Sequence, residues 1–285
     1  MPELTSPAPW QFDLPLPPLE LRRMVGPVEP KYFDNPTGQP IIENIPIDKY
    51  ESVLDFGCGC GRIARQLLQQ KIRPKRYLGF DLNPKVIDWC QRELTPRDPA
   101  FTFKHHDVFN PTFNPDARKP KWLPMPAEDH SFKLVIAWSV FTHTTQDQAV
   151  HYLREAARVL DPNGIMVATW FLFEKRYYPM MQDFQNALYI NDIDLTNAVI
   201  FDREWLQGML QSVGLGTVHA SPPGIRGFQW LLHIVTRGSN RTIIPLPEDR
   251  APFGRLPPAM IPRDAVRELE TPDTDIPTAG SRRPE

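Results

Sequence analysis

A ten-residue stretch from Val53 to Arg62 places the tightest constraint on how this chain can fold. Its sequence, VLDFGCGCGR, runs from an apolar strand into an acid and then into glycines at every second position. Apolar residues at helical spacing follow from Ile63 onward. Because glycine readily adopts positive φ, the pattern predicts a strand, a tight turn and a helix start. The first N–H groups of such a helix are free to meet a ligand.

The order of acid and glycines separates two kinds of nucleotide-binding turn. Dinucleotide enzymes use G-x-G-x-x-G and require no acid before the first glycine. Here the order is D-x-G-x-G-x-G, and Asp55 would repel a pyrophosphate but suit a cationic ligand. This pattern resembles motif I of the class I S-adenosylmethionine-dependent methyltransferases. The resemblance implies that S-adenosylmethionine is the cofactor and that Asp55 helps hold its amino-acid end. The turn residues it assigns to the cofactor are Gly57, Cys58, Gly59 and Gly61.

Two further strands end in an acid, in the order that the family has. The segment 76–81 ends in Asp81, whose carboxylate can accept hydrogen bonds from ribose hydroxyls, as in other Rossmann sheets. We expect Leu82, its neighbour, to contact the cofactor as well. The segment 101–108 includes Asp107. The resemblance implies that Asp107 receives the adenine amino group and that Val108 contacts the ring through its backbone.

The fourth strand leads into the region where cofactor and acceptor would meet. Residues 132–138 form a nearly continuous apolar run, which is typical of a buried parallel strand. The sequence SVFTH that follows resembles motif IV of the family, which implies that Trp138 and Ser139 contact the cofactor. His143 ends this motif and is a candidate general base, since histidine titrates near neutral pH. Alternatively, His143 only packs or caps at a helix start.

These elements predict an α/β fold. We expect a doubly wound seven-stranded sheet, parallel except for an antiparallel last strand at 228–236, with helices on both faces. A helix–turn–strand from Tyr152 onward resembles the family's "RVLkPGG" segment. The resemblance covers about residues 50–175, and the predicted methyltransferase domain spans residues 46–237.

Three segments lie outside or interrupt this domain pattern. Residues 1–45 are Pro-rich, with Trp10 and Phe12 among their apolar positions, and form either a lid over the pocket or a surface arm. Residues 172–200 are rich in aromatics and predict an inserted helical segment, interpreted as a substrate cap or as a packed surface helix. Residues 238–285 are polar and Pro-rich, which predicts a disordered tail.

Composition excludes several function classes. A net charge of −2 gives no broad basic surface for nucleic acid, and no apolar run reaches the length of a membrane span. The three cysteines favour a reducing, cytoplasmic location. Cys58 and Cys60 could be metal ligands or a redox pair. We favour small fillers of the turn, because no second Cys or His cluster completes a site, and we predict no bound metal.

The sequence therefore predicts a metal-independent enzyme that moves a methyl group from S-adenosylmethionine by in-line displacement. The expected acceptor is an oxygen or nitrogen of a small molecule or glycan-type metabolite, because the Asn/Asp-Pro-Pro-Tyr/Phe motif of the enzymes that methylate amino groups of nucleic acid and glutamine is absent after the fourth strand. Two alternatives come from other classes. One is a non-catalytic S-adenosylmethionine-binding sensor or scaffold, and the other is a nicotinamide-dependent oxidoreductase.

Overall fold

The computed structural model describes residues 14–117, 121–224 and 228–248. The chain divides into two compact units, Met1–Pro247 and Glu248–Glu285. Every element below belongs to the first unit, and Glu248 is the sole described residue of the second. Trp10 and Phe12 of the predicted arm lie outside the described residues, as do residues 249–285 of the predicted tail.

Strands and helices alternate through the centre of the chain, as expected for a parallel sheet. The strands are β1 (Ser52–Phe56), β2 (Arg76–Asp81), β3 (Phe101–His105), β4 (Phe132–Ala137), β5 (Leu160–Phe173), β6 (Ala187–Tyr189), β7 (Val199–Asp202), β8 (Leu215–Ser221) and β9 (Trp230–Thr236). The helices are α1 (Leu19–Met24), α2 (Arg62–Leu68), α3 (Pro84–Glu93), α4 (Gln146–Val159) and α5 (Arg203–Ser212).

Local sequence explains where the longer helices begin. Asn83 caps α3 by accepting a hydrogen bond from the Lys85 backbone N–H, and Pro84 takes the first helical position. Thr145 and Gln148 form a reciprocal capping box at the start of α4. Asp202 caps α5 by accepting a hydrogen bond from the backbone N–H of Trp205.

The central sheet has the predicted doubly wound topology. Its order is β3-β2-β1-β4-β5, and all four pairings are parallel. The strand β9 pairs antiparallel with the 166–170 part of β5, and β8 pairs antiparallel with β9. These seven strands confirm the predicted sheet, including its antiparallel last strand.

Two further strands extend the sheet beyond the prediction. The last residues of β5, Phe171–Phe173, pair in parallel with β7, and β6 pairs antiparallel with β7. Both lie in or beside residues 172–200, so the prediction of a helical insertion there is wrong. Its apolar residues follow the short alternation of strands and turns rather than the 3.6-residue period of a helix.

Helices cover both faces of the sheet, as predicted. Side chains alternate across a strand, so neighbouring positions face opposite sides. Val53, Leu134 and Ile136 lie in one buried cluster with α2 and α3. On the other face, the Phe56 ring lies 4.7 Å from that of Tyr152 in α4.

The described part of the N-terminal arm is packed. We call residues 14–34 the strap. Arg65 in α2 holds both ends of it, donating to the carbonyls of Leu14 (3.1 Å), Pro15 (3.2 Å) and Phe33 (2.9 Å) and pairing with the Asp34 carboxylate.

The described start of the predicted tail is also ordered by contacts. The Ile244 N–H donates to the Thr217 carbonyl (2.8 Å), and Leu246 is buried. The prediction of disorder from residue 238 onward is therefore wrong for residues 238–248, because the few apolar residues of this stretch pack on β8 and α5.

Candidate active site

A cavity of about 620 Å³ lies at the carboxyl ends of the parallel strands. Ligands of open α/β sheets bind at this edge, and the volume suits a small organic ligand. The strap contributes residues 23–27 to its wall, so this part of the arm lies over the cavity.

The glycine turn after β1 forms the floor. Gly57, Gly59 and Gly61 all have positive φ, at 74°, 52° and 76°. A Cβ at Gly57 would lie 2.5 Å from Val140 Cγ2, and one at Gly59 would lie 2.5 Å from Val25 Cγ1 in the strap. Both conformation and space therefore require glycine at these two positions.

Gly57, Cys58 and Gly59 line the cavity, whereas Gly61 does not. A Cβ at Gly61 would lie 2.5 Å from Leu94 Cδ1, so this glycine allows close packing below the turn and precedes α2. Direct contact of Gly61 with the cofactor stays a prediction.

Asp55 is a buried acid on the cavity wall. Tyr77 Oη donates to Asp55 Oδ2 at 2.6 Å. Burial is the largest influence and raises the pKa of Asp55 to about 7, although the Tyr77 hydrogen bond and the Arg62 charge oppose the shift. The carboxylate is therefore poised to gain or lose its charge near neutral pH.

Asp81 at the end of β2 organises the turn opposite it. Its Oδ2 accepts from the Gly59 N–H (2.9 Å), and its Oδ1 accepts from the Asn83 N–H (2.9 Å). Burial raises its pKa despite these two bonds. Asp81 and Leu82 both line the cavity. Each carboxylate oxygen keeps a lone pair for a further donor.

After β3, Val108 lines the cavity and Asp107 does not. Asp107 Oδ1 instead accepts from Asn114 Nδ2 at 3.3 Å, within the loop that follows. The sequence suggested an acid that reaches the adenine, but the described loop turns this carboxylate toward its own residues.

Trp138 and Ser139 line the cavity after β4. Ser139 has a positive φ of 58°. Its N–H donates to Thr169 Oγ1 (2.7 Å) and its hydroxyl donates to Gln229 Oε1 (3.0 Å). These two bonds hold a non-glycine residue in a conformation that side chains rarely adopt.

His143 lines the same cavity. Its Nδ1 lies 3.0 Å from the Thr196 carbonyl oxygen, and its ring meets Phe113 edge-on with centroids 5.8 Å apart. Because a carbonyl can only accept, Nδ1 carries the proton and the neutral ring keeps its lone pair on Nε2. That form of histidine can receive a proton.

Arg62 is the main residue that sequence reasoning missed. It lines the cavity, and its guanidinium carbon lies 5.7 Å from the centre of the Trp138 ring. Burial lowers its pKa, while the Asp55 charge opposes that change. A basic residue directly after the last glycine of the turn was the available signal.

Several other aromatic and histidine side chains lie away from the site. Tyr32 and Tyr178 are exposed and do not line the cavity, and no described residue of 172–200 lines it. That segment contacts the cavity residue His143 through the Thr196 carbonyl, which is the hydrogen-bond partner of His143 Nδ1. His106 is buried and hydrogen-bonded to Tyr152 Oη (2.9 Å), which makes it structural.

The three cysteines lie together under the turn as buried free thiols. Burial raises the pKa of each, that of Cys60 to about 12, so they stay protonated. Within residues 14–117, 121–224 and 228–248, no group of three His, Cys, Asp or Glu is placed to hold a metal ion. Over the same ranges, no helix is long and apolar enough to cross a membrane.

A comparison with family models matches residues 53–164 to the Methyltransferase domain family. Residues 53–164 of the chain are therefore similar to a methyltransferase domain. The matched segment runs from β1 into β5, and it includes the glycine turn, Asp55, Asp81 and His143.

Several solved structures are similar to this chain. The protein bound to the Trm112 methyltransferase activator in a Haloferax volcanii complex is 15% identical, with 68% of this chain and 85% of that chain covered and a TM-score of 0.47. The 1,6-didemethyltoxoflavin-N1-methyltransferase of Burkholderia thailandensis is 20% identical, with coverages of 65% and 70% and a TM-score of 0.43. The O-methyltransferase NcsB1 of neocarzinostatin biosynthesis is 13% identical, with coverages of 68% and 51% and a TM-score of 0.46.

Proposed function

We propose that this chain transfers a methyl group from S-adenosylmethionine to an oxygen or nitrogen of a small-molecule or glycan-type acceptor, without a metal ion. The observation that carries the proposal is the joint placement of Asp55, Arg62 and His143 on one cavity above the glycine turn. An acid, a cation and a base with a free lone pair there suit a zwitterionic cofactor next to an acceptor.

The residues present fit the cofactor. Gly57 and Gly59 present backbone to the cavity, because Val140 and Val25 occupy the space that their own side chains would need. Asp55 would hold the ammonium of the amino-acid end and Arg62 its carboxylate, by opposite charge. Asp81 keeps lone pairs for the ribose hydroxyls. When bound, S-adenosylmethionine would supply a methyl carbon for in-line attack by an acceptor oxygen or nitrogen, with the C–S bond breaking and S-adenosylhomocysteine leaving as a neutral thioether.

The protein's own contribution is positioning, exclusion of water and proton removal. The strap covers the cavity at Val25, which limits the access of water. The walls near His143 include Phe113, Trp138 and Phe228, whose apolar faces would hold and orient an acceptor. His143 Nε2 would take the proton of the acceptor hydroxyl or amine.

Acceptor space next to the cofactor residues favours an enzyme over a non-catalytic binding protein. The test uses S-adenosylmethionine with a deuterated methyl group and a small-molecule extract of the source cells. Mass spectrometry should detect labelled small molecules. His143→Gln should bind S-adenosylmethionine normally but lower the rate of labelling by about 10²-fold or more.

Asp81→Asn serves as the control, because it weakens cofactor binding itself. Tight binding of S-adenosylmethionine with no labelled product would support the sensor or scaffold alternative. A full rate of labelling by His143→Gln would show that this histidine is not the general base.

A further inference from the structure

A short turn in the segment 190–198 is tied together behind His143. Asp194 Oδ1 accepts from both the N–H (2.9 Å) and the hydroxyl (2.6 Å) of Thr196. Asp194 Oδ2 accepts from the Thr112 hydroxyl at 2.5 Å. These bonds hold the pKa of Asp194 below its usual value against the effect of burial. One carboxylate therefore fixes Thr196 and joins the turn to the loop after β3.

A second hydrogen bond holds the side chain of the same threonine. Asn110 Nδ2 donates to Thr196 Oγ1 at 2.9 Å, and Thr196 is buried. Asn110 is itself fixed, because its Oδ1 accepts from the N–H groups of Thr112 and Phe113. The Thr196 hydroxyl thus accepts from one side and donates to the other, which leaves it little freedom.

These hydrogen bonds also fix the position of the Thr196 carbonyl, whose oxygen lies 3.0 Å from His143 Nδ1. A free imidazole exchanges its proton between the two nitrogens, and only the form with the proton on Nδ1 leaves Nε2 able to receive another. The other tautomer would turn the Nδ1 lone pair toward this buried carbonyl and leave it without a donor, which favours the Nδ1–H form by about tenfold to a hundredfold. A carbonyl that moved away would lose this preference.

We propose that Asp194 is a positioning residue, which acts through Thr196 to fix His143 in the tautomer that carries its proton on Nδ1. The role of the resulting lone pair in methyl transfer rests on the proposed function, but the tautomer itself does not. The segment 172–200, read from sequence as a substrate cap, would instead serve the site from behind.

The test reads the tautomer directly. Protein labelled with ¹⁵N-histidine gives two nitrogen resonances for each of its seven histidines, and His143→Gln identifies the pair that belongs to His143. At a pH where the imidazole is neutral, the unmodified chain should show His143 almost wholly as the Nδ1–H form. Asp194→Ala should show a mixture of both forms.

Three variants make the result specific. Asp194→Asn keeps an acceptor oxygen for Thr196 and should restore the single tautomer. Asp192→Ala removes an exposed acid of the same segment and should leave the tautomer unchanged. Thr196→Val keeps the carbonyl but loses both hydroxyl bonds, and it provides a second way to loosen the turn if Asp194→Ala does not fold. A circular dichroism spectrum and a thermal unfolding midpoint close to those of the unmodified chain report the fold of each.

A single Nδ1–H tautomer in both Asp194→Ala and Thr196→Val, or a mixture in the unmodified chain, would overturn the proposal. Neither of these tautomer measurements requires a methyl acceptor. If His143→Gln transfers methyl groups at the full rate, the proposed base role fails while the tautomer measurement still decides the role of Asp194.

Discussion

The charge of Asp55 is the residue-scale property with the clearest functional consequence. Its pKa of about 7 means that the carboxylate is about half protonated at neutral pH. A protonated Asp55 cannot pair with the ammonium of a bound amino acid. Binding of S-adenosylmethionine should therefore draw the proton off, and affinity should depend on pH.

We expect the affinity for S-adenosylmethionine to fall about tenfold between pH 7 and pH 5.5, as Asp55 becomes protonated. The α-amino group of the ligand stays protonated over this range, since such groups titrate near pH 8. Calorimetric titration at several pH values measures the effect. Asp55→Asn should bind more weakly at pH 7 and lose most of the dependence. A constant affinity in the unmodified chain would contradict the assignment.

The sequence predicted those site residues whose role follows from local pattern. Gly57, Gly59 and Asp81 were found because strand ends and glycine turns are set by neighbours in the chain. The contact of Thr196 with His143 could not be found, because it joins residues 53 positions apart through a backbone carbonyl. The sequence also does not show that Asn114 in the following loop hydrogen-bonds the Asp107 carboxylate, and the predicted adenine contact of Asp107 stays a prediction.

At the scale of elements, side chains of α2 hold the strap. Arg65 makes most of these contacts, and Gln66 Nε2 donates to the Tyr32 carbonyl at 3.0 Å. Arg65 donates to the carbonyls of Leu14, Pro15 and Phe33, and it pairs with Asp34. Buried carbonyls without donors cost free energy, so both ends of the strap rely on this guanidinium. The middle of the strap lies over the cavity, which links its anchoring to ligand retention.

Arg65→Met should lower the free energy of unfolding by about 3 kcal/mol, because several carbonyls lose their donor. Hydrogen exchange should speed up in residues 14–34 but not in β1 or β4, and S-adenosylmethionine should dissociate faster. Arg92→Met is the matched control, since Arg92 makes exposed ion pairs on α3 and should change little. Unchanged exchange in the strap of Arg65→Met would refute this anchoring.

At the scale of the whole molecule, buried groups with shifted pKa values change the stability of the fold with pH in opposite directions. Burial lowers the pKa of His106 and of His233 to about 4, so both stay neutral in the folded state at pH 5. Their stabilising contribution is lost as pH falls from their unfolded value of about 6.5 toward 4. Asp55 acts in the opposite direction. Its raised pKa gives a stabilising contribution that is full below the unfolded value of about 4 and is lost as pH rises from there to 7.

From pH 7 to pH 5, protonation linked to each of the two histidines should lower the free energy of unfolding by about 2 kcal/mol. Asp55 should raise it by about 2 kcal/mol over the same interval. The unmodified chain should thus lose about 2 kcal/mol and Asp55→Asn about 4 kcal/mol over this interval. Urea unfolding at the two pH values checks the difference. Equal losses in the two proteins would show that Asp55 titrates normally in the fold.

The architecture was largely predictable because it repeats one local unit. Apolar runs such as 132–138 fixed the parallel core, and the antiparallel β9 was expected. The two added strands were missed because β6 and β7 are only three and four residues long, and their pairing depends on the distant end of β5. The strap was left between two interpretations, because the sequence does not show that Arg65 ties it down.

The most direct test of the account is calorimetric titration of the full chain with S-adenosylmethionine, S-adenosylhomocysteine and NADH in parallel. The placement of Asp55 and Arg62 on the glycine-floored cavity predicts that the first two ligands bind and that NADH does not. Binding of NADH without S-adenosylmethionine would contradict the account, because the acid before the first glycine would then hold no cationic ligand.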